Sequence, residues 1–388
     1  MTATPAERPG RNVFSSGPCA KPPTWQAELL SEALLGRSHR SKPGKARLGR
    51  LIGLIREILE VPDSHRIGIV PASDTGAVEM ALWSLLGERS VEVLAWESFG
   101  RDWLADVTRQ LRLDAVVHTA EYGELPDLSQ VDFSNDVVFT WNGTTSGVRV
   151  PDGNFIPEFR EGLTICDATS AAFAVDLPWN RLDATTFSWQ KILGGEAAHG
   201  IIILSPRAVT RLESWIPQWP VPKIFRLTKD GKLNEGIFRG VTINTPSMLC
   251  VEDCLLSLNW AKSVGGLRGM IARADANARI VAEFVNARDW IEFLASDERT
   301  RSNTSVCLVF DVPGICNDDM PAFAKSVAGR LAAEDVAHDI ESYRDAPPGL
   351  RIWCGSTVEA SDLRALMPWI EWAYQEERAA YNACKSAK

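Results

Sequence analysis

Short apolar runs alternate with helical stretches along the first two-thirds of this chain, and each run closes on a cluster of small polar residues. Leu48, Leu51, Ile52, Ile55, Ile58 and Leu59 share one face of a helix expected over 47–59, and Ile67-Gly68-Ile69-Val70 follows as a strand. Residues 76–86 predict a helix, and 91–95, 115–117 and 137–140 predict strands. Leu163-Thr164-Ile165-Cys166, the mixed run 183–188 and Gly200-Ile201-Ile202-Ile203-Leu204 continue the series. Such alternation predicts an α/β fold, a mostly parallel sheet flanked by helices. Ligands of open sheets of this kind sit beyond the carboxyl ends of strands. Here the polar segments 71–75, 141–147, 167–170 and 188–191 all fall just after expected strands, which points to one shared site.

After Pro246 the texture changes. A helical stretch over about 247–285, broken at Gly265-Gly266, leads into strands near 305–311 and 349–354 and helices near 321–335 and 361–385. A chain of 388 residues, 45% of them apolar, exceeds what one hydrophobic core usually fills. The expected division is an N-terminal arm over 1–15, a large domain over 16–257 and a smaller C-terminal α+β domain over 258–388. A net charge of −9 and a pI near 5.3, with no basic block, argue against a nucleic-acid partner. Cys19, Cys166, Cys250, Cys254, Cys307, Cys316, Cys354 and Cys384 form no CxxC pair, and several lie inside apolar runs. They read as reduced core thiols. With no apolar signal core and no membrane-length stretch, a cytoplasmic protein is expected.

Lys191 carries the most chemical information. It stands between two expected strands, where burial disfavours the ammonium and leaves an amine able to form a Schiff base. Asp167 follows a buried strand and is an acid suited to a protonated pyridine nitrogen. Together the two point to pyridoxal phosphate; singly, they would be a loop lysine and a helix cap. Ser73, Asp74 and Thr75 join a strand to a helix, where they hold an anion or simply cap the helix. Trp103 offers an indole to a pyridine ring, or packs in the core. Thr144, in Asn142-Gly143-Thr144-Thr145, offers a hydroxyl to a phenolic oxygen, or belongs to a turn.

Four motifs in order carry a resemblance: Ser16-Gly17-Pro18, Ser38-His39-Arg40-Ser41, Trp189-Gln190-Lys191 and Asn244-Thr245-Pro246. Over almost its whole length the chain resembles the phosphoserine aminotransferases, members of the class V aminotransferase group of fold-type I pyridoxal-phosphate enzymes. The resemblance implies a seven-stranded sheet in the large domain, and a homodimer with shared active sites. It implies Lys191 as the Schiff-base lysine, Asp167 on the pyridine nitrogen, Trp103 on the ring face and Thr144 on the phenolic oxygen. Ser73, Asp74, Thr75 and Gln190 would lie on or near the phosphate, with Asn244 and Thr245 arriving from the other chain.

The implied substrates are 3-phosphohydroxypyruvate and glutamate on one side and phosphoserine and 2-oxoglutarate on the other, in serine biosynthesis by ping-pong transamination. Each amino acid carries an α-carboxylate and a distal anion, so two cationic patches are needed. Arg351, inside an apolar strand, suits the carboxylate, with a structural salt bridge as the alternative. His39, Arg40, Lys42, Lys45 and Arg47 form a basic run suited to a phosphate, or a solvated loop. Two departures stand out. Residues 71–77 lack the phosphate-binding arginine of some members, for which Lys42 or Lys45 would substitute, and the family's His-Arg pair from the neighbouring chain corresponds to Tyr343-Arg344. Competing expectations are an alanine- or serine-glyoxylate aminotransferase, a lyase such as a cysteine desulfurase using Cys316 or Cys354, and a non-catalytic binding protein.

Overall fold

A computed structural model describes residues 3–386. The large sheet contains β1 (Arg66–Pro71), β2 (Val91–Ala95), β3 (Ala115–Thr119), β4 (Asp136–Thr140), β5 (Thr164–Asp167), β6 (Ala184–Ser188) and β7 (His199–Leu204). These seven strands lie in the order β1-β7-β6-β5-β4-β2-β3. Neighbours from β6 to β3 are parallel, whereas β7 runs antiparallel to both β1 and β6. The expected mostly parallel sheet is therefore present, with one reversed strand. β2, β4, β6 and β7 are buried along their whole length, as a sheet covered on both faces requires. β3 lies at the edge and leaves Val116 and Val117 exposed.

The helices covering the sheet are α1 (Lys42–Ile58), α2 (Ser73–Leu85), α3 (Ser98–Ala105) and α4 (Pro206–Ser214). The face expected on α1 is the buried one, and Ser41 caps the helix by accepting the Gly44 N–H. α2 lies so close to β7 that a Cβ at Gly200 would collide with the Ser73 carbonyl. That close approach fixes the first turn of α2 at the carboxyl end of the parallel strands.

α5 (Met248–Ser263) and α6 (Gly266–Asn286) meet at Gly265-Gly266, both with positive φ, where a glycine enters the second helix without a Cβ clash. The division expected at 257/258 falls inside α5. β8 (Ile291–Phe293), β9 (Ser305–Phe310) and β10 (Gly349–Trp353) form a smaller antiparallel sheet in that order, with α7 (Met320–Ala333) and α8 (Ala360–Ser386) packed against each other beside it. β8 was not expected, because three residues are too few for an alternating pattern to register. One apolar cluster runs from Phe14 through the large sheet to Tyr374, so the two sheets share a continuous core. Among the described residues, no helix is long and apolar enough to cross a membrane.

Candidate active site

A cavity of about 290 Å³ opens at the carboxyl ends of β4, β5 and β6. Four expected segments converge on it: the first turn of α2, the stretch after β4, the stretch after β5, and Gln190-Lys191 after β6. The segment 16–18 joins them through Gly17 and Pro18. Gly17 lies so close that a Cβ there would stand 2.8 Å from Lys191 Nζ.

Lys191 is half-buried and donates to the Ser16 carbonyl. Burial lowers its pKa; Cys19 opposes the shift, Arg351 adds to it, and Asp167 and Glu97 oppose it. Burial pushes the Cys19 thiol up to about 12, so it stays protonated near neutral pH. The net result is an amine closer to its neutral form than an exposed lysine, as the sequence position predicted.

Asp167 is held by two N–H donors. Trp103 Nε1 donates to its Oδ2 at 3.1 Å, and the Thr169 N–H donates to Oδ1 at 2.9 Å. Both contacts fix the orientation of the carboxyl group. Trp103, expected on a ring face, thus also has its N–H committed to the acid. Thr144 is buried and donates to Ser170 Oγ at 2.8 Å, while Asn142 Nδ2 donates to the same oxygen at 2.9 Å.

The first turn of α2 presents Ser73, Asp74 and Thr75 to the cavity. Ala72 and Ser73 enter the helix through the left-handed region, with φ of 66° and 53°. Their N–H groups donate to the Ala198 carbonyl, at 3.1 and 3.3 Å. The later N–H groups of this turn remain for an anion. Asp74, expected near a phosphate with its neighbours, stands in the same turn at the cavity, and its buried carboxyl faces Asp167, Thr169 and Thr186. Burial and the adjacent Asp167 hold its pKa well above the carboxylate range.

Polar oxygens without a protein partner surround this turn. Thr140 Oγ1, Thr169 Oγ1, Gln190 Oε1 and both Asp74 oxygens are fully buried and make no hydrogen bond within the protein. Buried hydroxyls and amides are rarely left so. Clustered on one cavity beneath a helix N-terminus, with a lysine amine and an oriented carboxylate, they fit a compact phosphorylated ring with an aldehyde and a ring nitrogen.

At the cavity mouth Phe99 contacts Tyr343, ring centroids 5.7 Å apart, and the Arg351 guanidinium lies 5.5 Å from the same tyrosine ring. Arg344 donates to the Tyr343 hydroxyl at 2.9 Å. Tyr343, matched above with Arg344 to a pair supplied by the neighbouring chain, therefore touches a cavity-lining residue of its own chain, and Tyr343, Arg344 and Arg351 themselves line a second pocket. The Arg351 Nε is buried and unpartnered.

His39 and Arg40 do not line this cavity. Arg40 is exposed on the turn before α1, and Arg47 pairs with Glu252 at 3.2 Å. Asn244 and Thr245 are likewise exposed and away from it. Their segment is anchored at its end, where the Ser247 N–H donates to His199 Nε2 at 3.1 Å. Glu97, Phe99, Thr140, Thr169 and Ser170 line the cavity without having been singled out. Most stand within a few residues of a strand's carboxyl end, which is the signal that finds them. Glu97 is fully buried, and burial raises its pKa to about 7 even though the Gly100 N–H and the Thr145 hydroxyl donate to it. Cys316 is exposed with its Sγ on Asp319 and does not line the cavity, and burial raises the Cys354 pKa, which disfavours its thiolate.

No family model matches the chain. Two curated relatives do, both named phosphoserine aminotransferase. The protein of Methanosarcina barkeri is 59% identical and that of Methanosarcina mazei 58% identical, each over 371 residues that span 95% of this chain and 98% of the relative. Among solved structures, a phosphoserine aminotransferase of Cytophaga hutchinsonii superposes with a TM-score of 0.79 at 19% identity, covering 93% of this chain and 98% of that one.

Proposed function

The chain belongs to the phosphoserine aminotransferase family, and from that membership we propose the working parts of its site. It is a pyridoxal-phosphate-dependent aminotransferase that exchanges the amino group of phosphoserine with 2-oxoglutarate, and of glutamate with 3-phosphohydroxypyruvate. Bound in the cavity, pyridoxal phosphate supplies an aldehyde that exchanges amines and a ring that accepts the electrons left at the substrate Cα.

Lys191 Nζ would anchor the cofactor aldehyde and would be the base that takes the substrate Cα proton and delivers it to the aldehyde carbon across the nitrogen. Its depressed pKa supports that role, because the base must be neutral to act. Asp167 holds the ring nitrogen protonated, with Trp103 keeping the acid in place and lending its indole to the ring. Ser73, Thr75, the free N–H groups of α2 and Gln190 take the phosphate, and Thr144 reaches the phenolic oxygen. Arg351 takes the substrate carboxylate, and Tyr343 with Arg344 takes the distal anion on the same side of the cavity.

Asn244 and Thr245 would reach a phosphate only in another copy, as would Arg40 and His39 a substrate. The exposure of Arg40, Asn244 and Thr245 away from their own cavity supports a homodimer with two shared sites. We also infer the division into a 16–257 domain and a 258–388 domain, an N-terminal arm over 1–15, and a cytoplasmic location. Eight cysteines left as free thiols support the last.

The convergence of Lys191 and Asp167 on one cavity lined by unpartnered oxygens carries this reading. Its test is the visible absorbance of the purified protein. Borohydride should abolish it in the parent, and Lys191→Ala should lack it. An unchanged spectrum in the variant would overturn the assignment.

A further inference from the structure

Asp74 sits where an anion-binding turn should not carry a second negative charge. It is the second residue of α2, between Ser73 and Thr75, and its side chain is 6% exposed. Neither carboxyl oxygen receives a hydrogen bond from the protein, although Thr169 and Thr186 stand close by with unpartnered hydroxyls. Asp167, by contrast, has an N–H on each oxygen.

The charged groups around Asp74 offer no compensation. From β5 come Asp167 and Cys166, the latter a thiol whose pKa burial raises. β6, Ala184–Ser188, contributes no titratable side chain. β7 contributes His199, which burial keeps neutral near pH 7. Arg66 of β1 is engaged by Glu235, and Arg207 and Arg211 of α4 by Asp183 and Asp136. Lys223, on the short turn against α2, is exposed. A helix N-terminus favours a carboxylate only modestly. Two buried like charges in contact oppose ionisation more strongly than that.

We propose that Asp74 and Asp167 hold one proton between them, with Asp74 the protonated partner and Asp167 the carboxylate presented to the cofactor's ring nitrogen. Asp74 is thereby a positioning residue. Its O–H supplies Asp167 with a third donor and keeps the acid turned to the ring. The arrangement rests on the assignment of Asp167 above. It also explains how an aspartate can stand in the turn that takes a phosphate: a neutral acid leaves the N–H groups and the helix dipole free to hold the dianion, whereas an ionised one would repel it.

The experiment is an infrared difference spectrum of the full-length chain, parent against Asp74→Asn, with cofactor bound and after its removal. The amide is isosteric and permanently neutral. The expected result at neutral pH, in both states, is a carbonyl stretch of a protonated carboxylic acid in the parent beyond the Glu97 band that both chains share, and lost from the variant. No such band would mean that both acids are ionised, and would overturn the proposal. Should Asp74→Asn fail to accumulate, carbon-13 labelling of aspartate in the parent must shift the band, and an unshifted or missing band overturns the proposal equally.

A second readout is pyridoxal-phosphate binding to the stripped protein as pH is raised, parent against Asp74→Asn. Ionisation of Asp74 beside the phosphate should weaken binding by about tenfold or more in the parent relative to Asp74→Asn. Parallel profiles would refute the link to the phosphate. A parent that takes up no pyridoxal phosphate would remove the functional reading while leaving the infrared result standing.

Discussion

The Ser247 N–H donates to His199 Nε2 at 3.1 Å, which ties the exposed Asn244-Thr245-Pro246 segment to the strand that begins beside the cavity. To accept that bond the imidazole must be neutral at Nε2. Its ring also lies 5.1 Å from that of Trp189, two residues before Lys191. One histidine thus connects the turn that carries Lys191 with the segment proposed to reach the partner's phosphate.

That link is acid-sensitive in a defined sense. Burial lowers the His199 pKa to about 4, against about 6.5 in an unfolded chain. Between those values the unfolded state binds the extra proton, so stability rises with pH; it is fully present above about 6.5 and is lost as pH falls toward 4. The shift corresponds to roughly 3 kcal/mol. His199→Gln should flatten the fall in melting temperature over this window. A variant whose profile runs parallel to the parent's would place the acid sensitivity elsewhere.

Shared sites predict complementation between two defective chains. Lys191→Ala should be inactive, and Arg40→Ala should turn over phosphoserine roughly ten- to a hundredfold more slowly, the loss of one charge-assisted contact. Mixed and allowed to exchange subunits, the two variants form a hybrid in which one site has an intact Lys191 from one chain and an intact Arg40 from the other. Activity above the sum of the separate variants is the expected outcome. If Arg40 served its own chain's site, no hybrid would contain an intact site, and mixing would restore nothing.

Much of the site was legible because its parts follow buried strands. Asp167 ends β5 and Lys191 stands just past β6, and a burial pattern in the sequence marks both strand ends. The reversal of β7 was not legible, since its apolar run reads the same in either direction. Nor was the place of Asp74, because the facing acid lies on a distant strand and a capping aspartate has the same sequence signature. Tyr343-Arg344 was matched to a neighbouring chain by spacing alone; its contact with Phe99 depends on how β10 sets Arg351 beside the large sheet. Arg40 shows the opposite limit. Its motif was plain, yet its target lies outside one chain.

Substrate selection gives the sharpest test of the cavity mouth. Arg351 is partly buried with its Nε unpartnered, and an α-carboxylate accepting from its guanidinium would complete it. Every amino donor presents that group, so Arg351→Ala should lower kcat/KM for phosphoserine, glutamate and alanine alike, by about 1.5–3 kcal/mol or roughly ten- to a hundredfold. Arg344 sits farther out on the Tyr343 hydroxyl and meets only donors with a distal anion. Arg344→Ala should therefore weaken phosphoserine most, because a phosphate carries more charge than a carboxylate. Glutamate should lose less, and alanine should remain the poor donor it is in the parent. The ratio of phosphoserine to alanine turnover separates the two arginines: it should stay constant in Arg351→Ala and fall in Arg344→Ala. A ratio unchanged in both variants would move the distal-anion site away from Tyr343-Arg344 and leave it to the basic turn around Arg40 in the second chain.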